Sequence, residues 1–205
     1  MVENRIAQNF GAWGLLKYAL PTVCMMLFTS IYTMVDGVFV AQFVSVDALS
    51  ALNIVNPLFS LVMGFGVMLG AGGSAVIAKN IGEGEEQQAF DNLSTLVFFG
   101  TILGLVLMIL LLVFMEPILS VLGATEILMP YCKDYCYYIV GFLAPWVLEL
   151  MFSSYFITAG KPQIGLIATL CSGVFNIVGD YVLIVVVGMG IRGAALATGL
   201  ATCIP

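Results

Sequence analysis

The stretch TLVFFGTILGLVLMILLLVF, residues 95–114, runs for twenty positions without a charged side chain. A helix needs about 20 mostly apolar residues to cross the hydrocarbon core of a bilayer, so this stretch predicts a transmembrane helix. The whole chain has the same character, since 61% of its 205 residues are hydrophobic and 9% are charged, against about 25% charged residues in a typical soluble domain. The composition therefore predicts an all-α, polytopic integral membrane protein.

Six apolar runs of this kind predict a six-helix transmembrane bundle in which residues 1–205 form one unit. The runs are approximately 15–40, 49–78, 93–115, 131–157, 163–187 and 192–205. Between the second and third runs, the polar segment 79–92 is expected to be a solvent-exposed loop. The sixth run has only about 14 residues, short of the roughly 20 that a span needs. We therefore expect a chain that ends inside a helix, cut from a longer protein.

Several functional classes are disfavoured by what the sequence lacks. It contains no histidine, which is the commonest metal ligand and general base. Its five cysteines follow no zinc or redox spacing and are expected to be small buried hydrophobic residues. The formal net charge of −6 comes with no basic stripe that would indicate a nucleic acid partner. The sequence therefore does not predict an enzyme, and the expected surroundings are the lipid bilayer.

Basic residues set the expected orientation, because cytoplasmic loops carry an excess of lysine and arginine. Two basic residues, Lys133 and Arg192, fall on one side of the predicted bundle. The other four fall on the opposite side: Arg5, Lys17, Lys79 and Lys161. This bias predicts a protein of the plasma membrane with a cytoplasmic N-terminus, and a reversed topology is the alternative.

Three carboxylates, Asp36, Glu149 and Asp180, lie within the predicted spans. A carboxylate inside the membrane is costly unless it is paired, neutralised or hydrated, so each is a candidate functional residue. The alternative is a structural carboxylate that is hydrogen-bonded between helices. Asp36 and Asp180 each follow a cytoplasmic lysine by 19 residues, which corresponds to roughly 28 Å of helix. The two aspartates are therefore expected at the same level of the membrane.

Two further oxygen-bearing side chains are expected near this level. Asn176 precedes Asp180 by four residues, and so lies on the same helical face about one turn deeper. Thr198 is six residues along the last run from Arg192, roughly 9 Å from the outer end. Carboxylate, amide and hydroxyl oxygens are hard ligands that suit Na⁺, and two adjacent carboxylates can instead share a proton. The pattern predicts a cation site, provided that the three helices meet.

The sequence leaves two readings open for each of two further residues, Glu149 and Pro21. Glu149 lies 19 residues after Pro130 in a run that travels inward, so we expect it near the cytoplasmic interface, apart from the two aspartates. A snorkelling or structural role is as open for it as a functional one. Pro21 precedes Asp36 by 15 residues and is expected to kink the first helix, either as passive shape or as a hinge.

Small and large apolar residues within the runs favour packing roles. The glycines of GFGVMLGAGG, residues 64–73, indicate close helix packing rather than a phosphate-binding loop. Methionine and aromatic side chains at helical spacing favour lipid contact or packing over a drug pocket. These are Met25, Met26, Phe28, Tyr32, Met34, Phe39, Phe59, Met63 and Met68.

Four blocks in a fixed order carry a resemblance to a known family. They are ALP at 19–21, MVDGVFVAQF at 34–43, ALNIVNPLFSLVMGFGVMLGAGGSAVIAKNIGEGEEQQA at 51–89 and TAGKPQIGLIATLCSGVFNIVGDYVLIVVVGMGIRGAALATGLA at 158–201. In their order and spacing, the chain resembles the N-terminal lobe of the multidrug and toxic compound extrusion (MATE) family of efflux transporters. The resemblance covers nearly the whole chain.

The resemblance implies a fold of twelve helices in two six-helix lobes, and export of organic cations and drugs by alternating access in exchange for Na⁺ or H⁺, with no other cofactor. It also implies a cation-binding site formed by Asp36, Asn176, Asp180 and Thr198, which is a metal site if the ion is Na⁺, and a hinge at Pro21. The family commonly has proline where Tyr181 follows Asp180, so we expect a change of local shape there.

The second lobe is not in this sequence, so the expected partner is a C-terminal lobe or a second chain. One alternative is a non-transporting membrane fragment or scaffold. Another is a lipid-linked oligosaccharide flippase of the same superfamily, which would be expected to hold pyrophosphate with basic residues. No lysine or arginine within the predicted spans is placed for that role.

Overall fold

The computed structural model describes residues 12–204, apart from the side chains of Leu15, Lys17 and Tyr18. Arg5 and Pro205, which entered the expectations for orientation and for the last run, lie outside the described residues. The described part of the chain is all-α. Its helices are α1 Ala12–Phe43, α2 Val46–Gly82, α3 Glu86–Val121, α4 Met129–Ile139, α5 Leu143–Thr158, α6 Pro162–Asp180 and α7 Ile191–Ala201.

Five helical segments within residues 12–204 are long and apolar enough to cross a membrane. They are α1, α2, α3, the segment Met129–Thr158 that joins α4 to α5, and the segment Pro162–Val186 that begins with α6. The sixth apolar helix, α7, is shorter. The prediction of an all-α membrane bundle is confirmed.

Pro117 and Pro145 each interrupt helical structure, and in both cases the residue with non-helical dihedral angles lies three positions before the proline. In α3, Phe114 has non-helical dihedral angles (φ −108°, ψ 20°) three residues before Pro117. Phe142 has similar angles (φ −104°, ψ 8°) three residues before Pro145, and it closes the short 3₁₀ turn that separates α4 from α5. The proline ring clashes with the preceding turn and removes a backbone hydrogen bond, which accounts for both bends.

The helices end at different places from the predicted runs. The polar segment 79–92 is mostly exposed but largely helical, because α2 continues to Gly82 and α3 begins at Glu86. Glutamate, glutamine and lysine are good helix formers, so polarity there marks helix ends that project into water. Pro117 does not end α3, which continues to Val121, and α7 ends at Ala201 rather than at 205.

Glycines on one face of α2 bring it close to α5. A Cβ atom at Gly70 would lie 2.8 Å from the Ser154 hydroxyl oxygen and 3.2 Å from the Leu150 carbonyl oxygen, and one at Gly66 would lie 2.7 Å from the Leu150 side chain. Gly64, on another face, has no atom within 4 Å of such a Cβ. The prediction that small residues allow close helix packing is confirmed for this face.

The packing order of the helices positions the polar residues. α1 packs along α6, and α7 packs against both α6 and α4. On the other side, α2 packs against α5 and α3. The end of α6 is thus enclosed by α1, α7 and α4, while a cavity opens between α1 and α6 on one side and α2 and α5 on the other.

Candidate functional site

Asp36 on α1 and Asp180 at the end of α6 face each other. Their carboxyl groups lie close enough to interact electrostatically, and Asp180 is completely buried. The helix widens directly after Asp180, because Tyr181–Val186 form a π-helix in which the Val187 amide donates to the Val182 carbonyl over 2.8 Å. Such π-helical turns occur often at functional sites. The wider turn begins at Tyr181, the position where the family commonly has proline; that this is a change relative to the family stays a prediction.

Asn176 and Thr198 complete the group. Asn176 lies one turn before Asp180 on α6 and is buried, and its Nδ2 donates to the Thr198 hydroxyl oxygen at 3.2 Å. This hydrogen bond uses the amide nitrogen, and the Asn176 Oδ1 atom has no hydrogen-bond partner among the described residues. The structure thus brings together all four residues that the sequence singled out, from α1, α6 and α7.

The group is rich in acceptors and poor in donors. Four buried oxygens have no hydrogen-bond partner among the described residues: Asp36 Oδ1, Asn176 Oδ1, Asp180 Oδ1 and Asp180 Oδ2. An ionised carboxylate only accepts hydrogen bonds, so Asp36 and Asp180 cannot satisfy each other unless a proton or a cation lies between them. No group of three or more His, Cys, Asp or Glu that could hold a metal ion occurs within the described residues. The donor set therefore fits a monovalent hard cation or a shared proton.

Tyr135 on α4 borders this group and was missed by the sequence analysis. The side chain is buried, interacts electrostatically with Asp36 and Asp180, and lines the same cavity as Asp36 and Thr198. Cys132 and Cys136 flank Tyr135 on α4 and are also buried, as expected for cysteines that act as small hydrophobic residues. Cys24, Cys171 and Cys203 are exposed on the surface of this bundle, so burial was wrongly expected for them.

A cavity of about 430 Å³ extends from this group between the helices. Asp36, Asn176 and Thr198 line one part of it. Four of the methionine and aromatic residues expected to contact lipid or pack also line it: Met25, Tyr32, Phe59 and Met63. Met26, Met34 and Met68 are instead exposed on the bundle surface, and Phe28 packs against Gly173. Phe59 is buried and packs against Tyr135, so packing is confirmed for Phe28 and Phe59. For Met25, Tyr32 and Met63, which also line the cavity, the expected packing role stays a prediction.

Glu149 on α5 lines the same cavity as Asp36, although it was expected apart from the aspartates. The helix pairing explains this position, since α5 crosses the cavity opposite α1, and the Ser153 hydroxyl lies 3.7 Å from the Met25 sulfur. Glu149 has no direct contact with Asp180, which is enclosed behind the cavity wall. Glu149 and Asp36 therefore share one space, and the expectation that Glu149 does not join the aspartate pair stays a prediction.

Pro21 lies within α1, which continues without interruption from Ala12 to Phe43. It is partly buried and precedes Asp36 by about 22 Å of helix. Unlike Pro117 and Pro145, it is not accompanied by a non-helical residue in its helix. The expected kink is therefore not a break in α1.

Known proteins share both the sequence and the fold. The MatE family model matches residues 21–182. The chain is 29% identical over 193 residues to the multidrug export protein MepA of Staphylococcus haemolyticus (strain JCSC1435), and the alignment covers 93% of this chain and 42% of that protein. For MepA of Staphylococcus aureus (strain MSSA476) the identity is 28% over 189 residues, with 91% and 42% covered.

The fold matches that of a solved structure described as the outward-facing conformation of a multidrug resistance MATE family transporter of the MOP superfamily. Its TM-score is 0.85 at 23% sequence identity, and the match covers 91% of this chain and 41% of that one. The chain spans less than half the length of the curated relatives it matches. Since the family model covers most of its residues, the chain belongs to the MatE family.

Proposed function

We propose that this chain forms the N-terminal lobe of a cation-coupled efflux transporter that exports organic cations and other toxic compounds. Its curated relatives are named multidrug export proteins. The observation that carries the coupling is the buried group of unpartnered oxygens on Asp36, Asn176 and Asp180. Together with Thr198, this group would bind Na⁺ or take up H⁺.

The coupling follows from the chemistry of the two carboxylates. Two adjacent anions in a buried site repel each other, so the site favours a bound cation or proton that offsets the repulsion. Because α1 supplies Asp36 and α6 supplies Asp180, an ion between them ties the two helices together. A ligand shifts a conformational equilibrium only through its different affinity for the two states. Ion binding would thus bias the transporter toward the state in which α1 and α6 are held together at this level.

Alternating access requires a second lobe, because a pathway forms between two repeats that rock against each other. We propose that a C-terminal lobe or a second chain supplies it and that Pro21 lets α1 bend as the ion leaves. The cytoplasmic N-terminus and the plasma membrane belong to the same proposal. No catalytic role is proposed, since the relatives are named for export.

A lipid-linked oligosaccharide flippase is not favoured. A pyrophosphate group would need basic partners, and the described residues that line the cavity include no lysine or arginine. They do include two carboxylates, Asp36 and Glu149. The charge of the cavity wall therefore suits a cationic substrate.

Ion binding to the purified chain in lipid nanodiscs tests the site. We expect wild-type protein to bind ²²Na⁺, or to take up protons on acidification if H⁺ is the coupling ion, and Asp36→Asn and Asp180→Asn to abolish that binding. Glu126→Gln is the matched control, because Glu126 is exposed in the loop between α3 and α4. Ion binding that is unchanged in both aspartate variants would contradict the assignment.

Transport is tested with the two-lobe transporter, in which this lobe is joined to the second lobe that alternating access requires, in proteoliposomes with an imposed Na⁺ or pH gradient and ethidium as the substrate. We expect gradient-driven ethidium movement by the wild type and none by Asp36→Asn. A protein that binds the ion but moves no ethidium under either gradient would instead support the non-transporting scaffold.

A further inference from the structure

Glu149 is a carboxylate set in the wall of the cavity. It lies in the middle of α5, is half-buried and lines the space between α1, α2, α5 and α6. Within the described residues, Glu149 takes part in no hydrogen bond and no ion pair, and the basic side chains with ion pairs have other partners: Lys79 with Glu83, Lys133 with Glu116, and Arg192 with Asp134. A structural carboxylate inside a membrane needs a partner, and the described lobe gives Glu149 none.

The side chains that line the cavity around Glu149 include aromatic and thioether groups, beside the hydroxyls of Thr29, Tyr32 and Ser153. Phe59 and Trp146 line the cavity beside it, with their ring centroids 5.7 Å apart, and Met25 and Met63 lie on the walls contributed by α1 and α2. Aromatic faces attract organic cations, and methionine adapts to ligands of different shape. The surroundings therefore suit a ligand with a large apolar body and a positive charge.

Glu149 lies at a different level from the aspartate pair. Ser153 on α5 contacts Met25 on α1, and α5 runs opposite to α1, so Glu149, one turn back from Ser153, is level with Thr29. Thr29 precedes Asp36 by seven residues, or roughly 10 Å of helix. A ligand held at Glu149 would thus leave the space between Asp36 and Asp180 free for the coupling ion.

We propose that Glu149 is the counter-ion that selects lipophilic organic monocations over neutral molecules of the same shape. This inference rests on the proposed export function and assigns a second, separate role within the same cavity. The volume of about 430 Å³ lies within the range of ~300–1,000 Å³ that is common for ligand pockets. Selection by charge follows because the carboxylate, once desolvated by the ligand, needs a positive group beside it.

Direct binding of radiolabelled tetraphenylphosphonium to the purified chain in nanodiscs tests the proposal. We expect Glu149→Gln to weaken its affinity by roughly tenfold or more, and Glu149→Asp, which keeps the charge, to restore most of it. Triphenylphosphine oxide, a neutral molecule of similar shape, should bind wild type and Glu149→Gln equally. Glu126→Gln, the same change on an exposed loop residue, should have no effect on either ligand.

Several outcomes would overturn the proposal. The first is an unchanged affinity of Glu149→Gln for tetraphenylphosphonium. The second is that Glu149→Gln loses as much affinity for the neutral oxide as for the cation. The third is that Asp36→Asn loses as much affinity for tetraphenylphosphonium as Glu149→Gln does, which would make the aspartate pair the counter-ion. If Glu149→Gln does not fold, the test is the wild-type protein alone. A wild type that binds tetraphenylphosphonium no more tightly than triphenylphosphine oxide also contradicts the proposal. No ion gradient is involved, so these results are independent of whether Asp36 and Asp180 bind the coupling ion.

Discussion

Thr198 controls the orientation of an amide at the candidate cation site. The side chain of Asn176 donates through Nδ2 to the Thr198 hydroxyl oxygen at 3.2 Å, and its Oδ1 has no hydrogen-bond partner among the described residues. An asparagine amide without such a partner can present either its oxygen or its nitrogen. The hydroxyl thus determines whether Asn176 offers the site an acceptor or a donor.

We predict that Thr198→Val weakens ion binding by about tenfold, because a single hydrogen bond contributes about 0.5–1.5 kcal/mol and a factor of ten corresponds to about 1.4 kcal/mol. The measurement is the affinity for ²²Na⁺, or the apparent affinity for protons, of the purified chain. Thr198→Ser keeps the hydroxyl and should bind as the wild type does. An equal loss in the serine variant would show that the methyl group, and not the hydroxyl, is needed.

Most of this site is predictable from the sequence because helix rise is constant. Counting from lysines placed Asp36 and Asp180 at one level, and the i, i+4 spacing placed Asn176 beside Asp180. Tyr135 could not be found in this way. Its side chain lies near Thr198 because α4 packs against α7, and the relative rotation of two packed helices depends on packing rather than on spacing.

At the scale of the helices, close contacts between backbones set the shape of the bundle. A Cβ atom at Gly104 on α3 would lie 2.5 Å from the Ala144 Cα and 3.0 Å from the Ala144 backbone nitrogen on α5. Backbone atoms cannot rotate away as a flexible side chain does. This contact is therefore more demanding than the contact of Gly66 with the flexible Leu150 side chain.

We predict that Gly104→Ala lowers the free energy of unfolding by about 1–3 kcal/mol, the usual range for inserting atoms into a packed interior. Thermal or denaturant unfolding in detergent micelles measures the change. Gly64→Ala is the matched control, because a Cβ there meets no atom within 4 Å and alanine is the better helix former. A Gly104→Ala protein as stable as Gly64→Ala would show that α3 and α5 separate freely.

The prolines show why helix boundaries are harder to predict than helices. Pro117 and Pro145 distort the residue three positions upstream, whereas α1 and α2 pass through Pro21 and Pro57 without such a residue. The sequence indicates a lost hydrogen bond at all four positions, but neighbouring helices decide whether the backbone bends. The segment 79–92 was predicted as a loop for a different reason. Its polarity indicated a loop, but glutamate, glutamine and lysine are good helix formers, and most of the segment belongs to the end of α2 and the start of α3.

At the scale of the whole lobe, apolar side chains pack the helices together, and the ion pairs between helices lie near the helix ends. The ion pair between Lys133 and Glu116 joins α4 to α3, and the one between Arg192 and Asp134, with 3.0 Å between Nη2 and Oδ2, joins α7 to α4. All four side chains are partly or largely exposed to solvent, and exposed pairs contribute about 0–1 kcal/mol. These pairs therefore adjust the positions of helix ends and do not determine the fold. The fold class was predictable from the apolar runs alone.

The orientation of the lobe depends on few charges. Among the described side chains, Lys79 and Lys161 lie at one end of the bundle and Lys133 and Arg192 at the other, since α2 and α5 end on the same side. The bias toward a cytoplasmic N-terminus comes from basic residues that precede or begin α1. Orientation follows lysines and arginines near the ends of the spans, so these first residues decide the prediction.

We predict that Glu126→Cys, in the loop between α3 and α4, reacts with a membrane-impermeant maleimide in intact cells, and that Glu85→Cys, between α2 and α3, reacts only after permeabilisation. Both residues are exposed, and the loops lie at opposite ends of α3, a helix of 36 residues and roughly 54 Å, long enough to put them on opposite sides of a bilayer. The five native cysteines are first replaced by alanine. Labelling of Glu85→Cys alone in intact cells would mean a reversed topology and would put the end of the lobe near Glu149, rather than the aspartate pair, toward the outside.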